Sequence, residues 1–150
     1  MKIFSDLGEL EQAGSIHLGY GEWLEVTQER IDRFADATGD HQWIHVDPGR
    51  AATGPFGTTI AHGYLTLSLI PHLTDGILRV EGLSMAVNYG NNRVRFPSHV
   101  PVGSKIRAGV ELVSVEPRPG GALVVTRVTV EREGSPKPVC VAESVTLMVT

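Results

Sequence analysis

The segment "AHGYLTLSLIPH", residues 61 to 72, constrains the fold more than any other part of the chain. A helix drawn through it carries Leu65, Leu67, Leu69 and Ile70 and is apolar nearly all round, so it has to be buried on most sides. Pro71 and Gly76 mark its far end. Such a helix needs a cover, and the rest of the chain supplies one. Residues from about 84 to 149 read as four strands. In residues 105 to 115, Ile106, Ala108, Val110 and Leu112 share one face, while Lys105, Arg107 and Glu111 share the other. "ALVVTRVTVERE" and "PVCVAESVTLMVT" are rich in β-branched residues, and "RPGG", Arg118 to Gly121, reads as a turn. A buried helix followed by a largely antiparallel sheet is an α+β plan, with the sheet wrapped around the helix.

Residues from about 27 to 75 read as helices and connecting loops, after a short leading strand or loop at residues 15 to 25. Thr27 is a helix N-cap, and Val26 with Ile31 occupy the two positions of a hydrophobic staple. Ile31, Phe34, Ala35 and Thr38 form one face at helical spacing, and Gly39 is placed for a left-handed C-cap. Asp47-Pro48 reads as the cap and first turn of another short helix. The stretch between, "GDHQWIH" at residues 39 to 45, is therefore a loop on a rigid frame, a common home for chemistry. It spends two of the chain's six histidines beside a carboxylate and an indole.

Composition narrows the classes. With 150 residues, 41% hydrophobic and 20% charged, the chain reads as one globular domain, residues 1 to 150, and not as a disordered segment. A net charge of −4 argues against nucleic acid as main partner but leaves room for a small anion held by a local basic patch. No apolar run approaches membrane-spanning length, and "MKIFSDLGELEQAG" has no signal-peptide core. The single Cys140 cannot form an intrachain disulfide, and its apolar neighbours Val139 and Val141 make it a buried, inert thiol. The cytoplasm is the expected compartment.

The residues "FADATGDHQWIHVDPGRAATGPFGTTIAHGYLTLSLIP", Phe34 to Pro71, closely resemble the hydratase motif of MaoC-like dehydratases, the R-specific enoyl-CoA hydratases. "HQWIHVDP" and the later "NYGNNRVRFPSHVPVGSKIR", Asn88 to Arg107, look most like the nodulation-protein-N-like subgroup. The resemblance runs from about Gly21 to the end. It implies a hot-dog fold, in which an antiparallel sheet curls around a central helix, and a homodimer with active sites near the subunit interface. Two positions depart from the pattern: Gln42-Trp43 stands where many members have Asn-Pro, and Pro71 where some hydratases carry an active-site serine.

The resemblance implies catalytic roles for Asp40, His45 and Gly63, and a reaction that adds water reversibly to a trans-2-enoyl thioester. Asp40 and His45 would both hydrogen-bond one water and share its proton. Which of the two is the formal base stays open, and the pair is expected to titrate as a unit. Gly63, at a helix N-terminus, offers its N–H to the developing thioester oxyanion. The helix from Tyr64 to Ile70 would wall the site against an acyl chain. Coenzyme A is the expected carrier, with acyl carrier protein as the alternative, and no further cofactor is implied. Arg93 and Arg95, with Asn91 on one strand face, would meet the carrier's phosphates or simply face solvent. Asp47 reads as a helix cap, His62 as a satisfied structural histidine or one that orients the loop or the oxyanion turn, and Trp43 as a packing residue, within the chain or at the dimer contact. His41 and His45 are spaced for metal on a helix, but Gly39 and Pro48 leave little room for one, so no metal is expected. The rival functions are a hot-dog thioesterase, with water aimed at the carbonyl, and a non-catalytic acyl-thioester binder.

Overall fold

The computed structural model describes all 150 residues, Met1–Thr150. In chain order the elements are β1 (Lys2–Phe4), α1 (Leu7–Gln12), β2 (Ile16–Tyr20), β3 (Leu24–Glu25), α2 (Gln28–Thr38), α3 (Trp43–Val46) and α4 (Pro48–Ala51). There follow α5 (Gly63–Ser68), α6 (Ile70–Leu73), β4 (Leu78–Val80), β5 (Met85–Arg95), β6 (Lys105–Arg118), β7 (Gly121–Arg132) and β8 (Cys140–Val149). The four long strands lie where the alternation places them.

These strands build a six-stranded, fully antiparallel sheet in the order β2-β6-β7-β8-β5, with β3 also pairing β6. Ile106, Ala108, Val110 and Leu112 of β6 are buried, as are Val124, Val128 and Val130 of β7. The β6–β7 hairpin closes with Arg118 opposite Gly121, so its loop is Pro119-Gly120. Gly120 takes φ +78°, the left-handed value that the second central position of a type II turn needs, and Pro119 pre-sets the first. Helices α5 and α6 pack on the apolar side of this sheet, and 25 buried residues from Phe4 to Met148 form a continuous core. This is the hot-dog arrangement that the resemblance implies.

The central helix differs from expectation in three ways. It begins at Gly63 and not near Ala61, because residues 59 to 61 are extended: Ile60 N–H bonds the Ile44 carbonyl and Ala61 N–H bonds that of Val100. It divides at Leu69, because Pro71 brings no N–H to the carbonyl four residues back; Pro71 sits in the first turn of α6 instead of beyond the helix end. Finally, it is not covered all round. Leu65, Leu69, Ile70 and Leu73 are buried, but Tyr64 is 71% exposed and Ser68 also faces out. A hollow of about 800 Å³ lies between this helix pair and strands β5 and β8.

The N-terminal segment adds a second, two-stranded sheet in which β1 runs parallel to β4. Asp6 caps α1 by accepting the Glu9 N–H at 2.8 Å, and Leu10 is fully buried.

Candidate active site

The frame around Asp40 is set by local rules. Thr27 caps α2 by accepting the Arg30 N–H, and Val26 and Ile31 are both fully buried at the staple positions. Gly39 ends the helix at φ +81° with its N–H on the Ala35 carbonyl. Thr38 leaves the expected buried face; it is exposed and returns its hydroxyl to the Phe34 carbonyl at 2.7 Å. The next stretch is not the plain loop that the sequence suggests. Trp43–Val46 makes one helical turn, with His45 N–H on the Gln42 carbonyl and Asp47 N–H on that of Trp43. Asp47 then caps α4 by accepting the Arg50 N–H. Trp43 packs within the chain, its ring under the Arg50 guanidinium at 4.3 Å and against Gly54.

This turn carries His45 inward until it is only 7% exposed. Its Nδ1 lies 2.7 Å from the Ile60 carbonyl, which can only accept, so Nδ1 carries the proton and Nε2 keeps a bare lone pair. Burial pushes the His45 pKa below the ordinary imidazole value; the Ile60 carbonyl and Asp40 oppose the shift and His62 adds to it. His45 is thus held as a neutral acceptor near pH 7. His41, by contrast, turns back to α2, where Asp36 at 2.9 Å raises its pKa.

A carboxylate oxygen of Asp40 and one ring nitrogen each of His45 and His62 lie within 4.8 Å of one another. Asp40 is exposed, and its carboxylate takes only a long bond, 3.3 Å, from the Gln42 N–H. Gly63 opens α5, and its N–H has no bond to any protein group. His45 and Gly63 line one cavity of about 430 Å³, together with Phe56, Thr66, Phe96 and His99. The Phe96 ring lies so close to Gly63 that a Cβ there would stand 3.2 Å from it, so glycine keeps both the ring and the N–H in place.

The trio does not suit a metal. The His45 and His62 rings stack at 3.9 Å and 25°, so their in-plane lone pairs run side by side and do not converge on one point. His62 Nε2 is moreover engaged with the Asp40 carbonyl at 2.9 Å. The Asp40 carboxylate and a ring nitrogen of His45 lie within 4.8 Å, a gap that one water spans.

Other sequence-predicted residues lie elsewhere. Arg93 pairs with Glu143 and Arg95 with Val141, which puts both on the exposed sheet face opposite that of buried Ala142. Asn91 does not share their face: a bulge at Asn92 turns it over, and it pairs with Ser144, whose hydroxyl it accepts at 3.0 Å. Tyr64 is exposed beside Gly63, its ring 6.4 Å from that of Phe96. Cys140 is fully buried, and burial pushes its thiol up to about 11, which makes it a poor nucleophile at neutral pH.

One supporting residue escapes a reading of the sequence. Gln28 donates to the His45 carbonyl at 2.8 Å and accepts the hydroxyl of buried Thr59 at 2.5 Å, so it ties α2 to α3 and to the segment before α5. Locally Gln28 is only a first-turn helix residue, and its partners are 17 and 31 positions away. Gln28→Ala strands the Thr59 hydroxyl without its acceptor, and urea unfolding should show a loss of about 1–3 kcal/mol. An unchanged midpoint would mean that this bridge does not hold α3.

A family model described as "MaoC like domain" matches residues 15–134. The chain is 54% identical over 146 residues to 3-hydroxyacyl-thioester dehydratase Z of Mycobacterium tuberculosis strain H37Rv, covering 97% of each chain. It is 47% identical over 134 residues to nodulation protein N of Rhizobium leguminosarum bv. viciae, covering 87% of this chain and 83% of that one. Among solved structures, a monoamine oxidase regulatory protein from Archaeoglobus superposes with a TM-score of 0.81 at 24% identity, over 99% of this chain and 97% of that one; at that identity it speaks for the fold.

Proposed function

The chain belongs to the MaoC-like domain family, and from that premise we propose that it is a hydro-lyase that adds water reversibly to trans-2-enoyl thioesters to give R-3-hydroxyacyl thioesters. The observation that carries this reading is the approach of the Asp40 carboxylate to His45, whose Nε2 is a bare acceptor and whose ring lines a cavity that also holds the free Gly63 N–H.

In the hydration direction, a water hydrogen-bonded to both acceptors attacks the β-carbon. Its oxygen bonds that carbon, and one of its protons passes to the Asp40–His45 pair. The electrons of the double bond move toward the thioester, whose oxygen becomes enolate-like and is met by the Gly63 N–H. The pair then returns its proton to the α-carbon and ends in its starting state. The balance is one water added, with no electrons gained or lost, so the chemistry needs nothing beyond the substrate's own carrier. Coenzyme A is the carrier we expect; acyl carrier protein is the alternative.

Purified protein should consume a short trans-2-enoyl-CoA, read as loss of the conjugated absorbance. Thiol release from a saturated acyl-CoA, with the enoyl substrate untouched, would overturn the proposal in favour of a thioesterase.

We further propose that the working unit is a homodimer joined along β5. This strand is a sheet edge exposed along almost its whole length, and it presents Met85, Val87 and Tyr89 at 55%, 44% and 67% exposure. A long apolar edge invites pairing, and the same strand of a second copy would meet it across a two-fold axis. Sedimentation at the mass of a single chain would remove this part of the proposal.

A further inference from the structure

We propose that His62 is a positioning residue that holds Asp40 in place for proton transfer, a role that for its kinetic test rests on the hydro-lyase reading. His62 precedes α5 as its N-cap, yet its side chain makes no capping bond. It reaches back 22 positions instead, and its Nε2–H donates to the Asp40 carbonyl at 2.9 Å. No backbone bond within the protein holds either the N–H or the carbonyl of Asp40 to another main-chain group, so this is the bond that ties the residue to the body of the fold. The same imidazole is packed between Phe34, at 4.9 Å, and His45, at 3.9 Å. One ring therefore spaces the two members of the pair: it fixes the backbone of Asp40 by a hydrogen bond and the plane of His45 by stacking.

The other ring nitrogen argues that this is not mere filling. His62 is 2% exposed, and its Nδ1 is buried without a partner. With Nε2 carrying the proton, Nδ1 is a bare acceptor shut away from water, an arrangement that costs stability. A residue needed only for volume would serve better as phenylalanine, which keeps the flat ring and removes the stranded acceptor. What phenylalanine cannot supply is the donor to Asp40. Glutamine can, because its Nε2–H group reaches about as far as that of histidine.

The experiment compares His62→Phe with His62→Gln on a short enoyl-CoA, beside thermal melts of each. His62→Phe should melt no lower than the parent yet lose about a hundredfold in kcat, with KM little changed, the cost expected of a misplaced catalytic group. His62→Gln should recover most of that loss. Equal losses in both variants, a kcat for His62→Phe close to the parent's, or a kcat loss accompanied by an equal collapse of stability would each overturn the proposal. A His62→Phe chain that does not fold moves the decision to the unmodified protein. There, ¹⁵N NMR at pH 8 should show His62 protonated at Nε2 and bare at Nδ1, and the opposite tautomer would exclude the bond to Asp40. That measurement needs no substrate, and turnover by the parent tests the hydro-lyase reading on its own, so the two ideas fail separately.

Discussion

His45→Gln should lower kcat by about a thousandfold, within the range that a positioned acid–base group contributes. Glutamine places its amide near the Nε2 end of the ring and not at Nδ1, so the bond to the Ile60 carbonyl goes with the imidazole, and a melt beside the assay separates that structural loss from the loss of the base. That base is Nε2, the lone pair facing the water. The pH profile identifies the cause. Because burial lowers the His45 pKa below the ordinary value, its neutral form prevails at pH 7. In the parent, kcat/KM should be flat there and should fall only as pH drops through that lowered pKa, on the acid side of 6.5. His45→Gln should lose this limb. Stability carries the same sign. Below 6.5 the unfolded chain takes up the His45 proton before the folded one does, so the parent loses stability as pH falls through that window and the variant is spared this contribution. A variant that keeps both its rate and its acid limb would show that His45 is not the titrating acceptor.

The parts of this site that can be read from sequence are those set by local chemistry. Thr27, Gly39 and Asp47 each bond groups within four residues of themselves, so their types and spacing announce the ends of α2 and the start of α4. The strands announce themselves by alternation for the same reason. What stays hidden depends on distant partners or on one-residue irregularities. β1 is three residues whose ladder partner, β4, lies over seventy positions away, and nothing in "KIF" points there. Gln28 acts across 17 and 31 positions through partners that no spacing rule connects, and His62, legible as a histidine able to orient the loop, gives no sign that its partner is the Asp40 carbonyl 22 positions back. The bulge at Asn92 inserts one residue and so reverses the faces of Gly90 and Asn91, until a second irregularity between Asn88 and Gly90 restores them; strict alternation therefore groups Asn91 wrongly with Arg93 and Arg95. Pro71 shows the converse. Its effect on the helix is local, but a proline after a helix and a proline in the first turn of the next one look alike in sequence.

Asp40→Asn should be as damaging to kcat as His45→Gln, again by about a thousandfold, and far gentler on the fold. Asp40 is exposed and its carboxylate takes only the 3.3 Å bond from Gln42, so replacing it with the amide should leave the melting curve nearly unchanged. The amide has nearly the shape of the carboxylate but the wrong chemistry: its NH₂ can only donate, and its oxygen has little power to take a proton. The double variant then asks whether the pair is one machine or two. If Asp40 and His45 grip the same water, removing either already ruins the proton transfer, and removing both should add less than about tenfold to the worse single loss. If they served different protons at separate moments, the two losses would multiply to about a millionfold. The distances favour the first result, because the carboxylate oxygen and the imidazole nitrogen lie within 4.8 Å, a gap that one water can bridge. Multiplied losses would break the shared-water mechanism even if each single variant behaved as expected, since they would require two independent proton carriers where the geometry offers one.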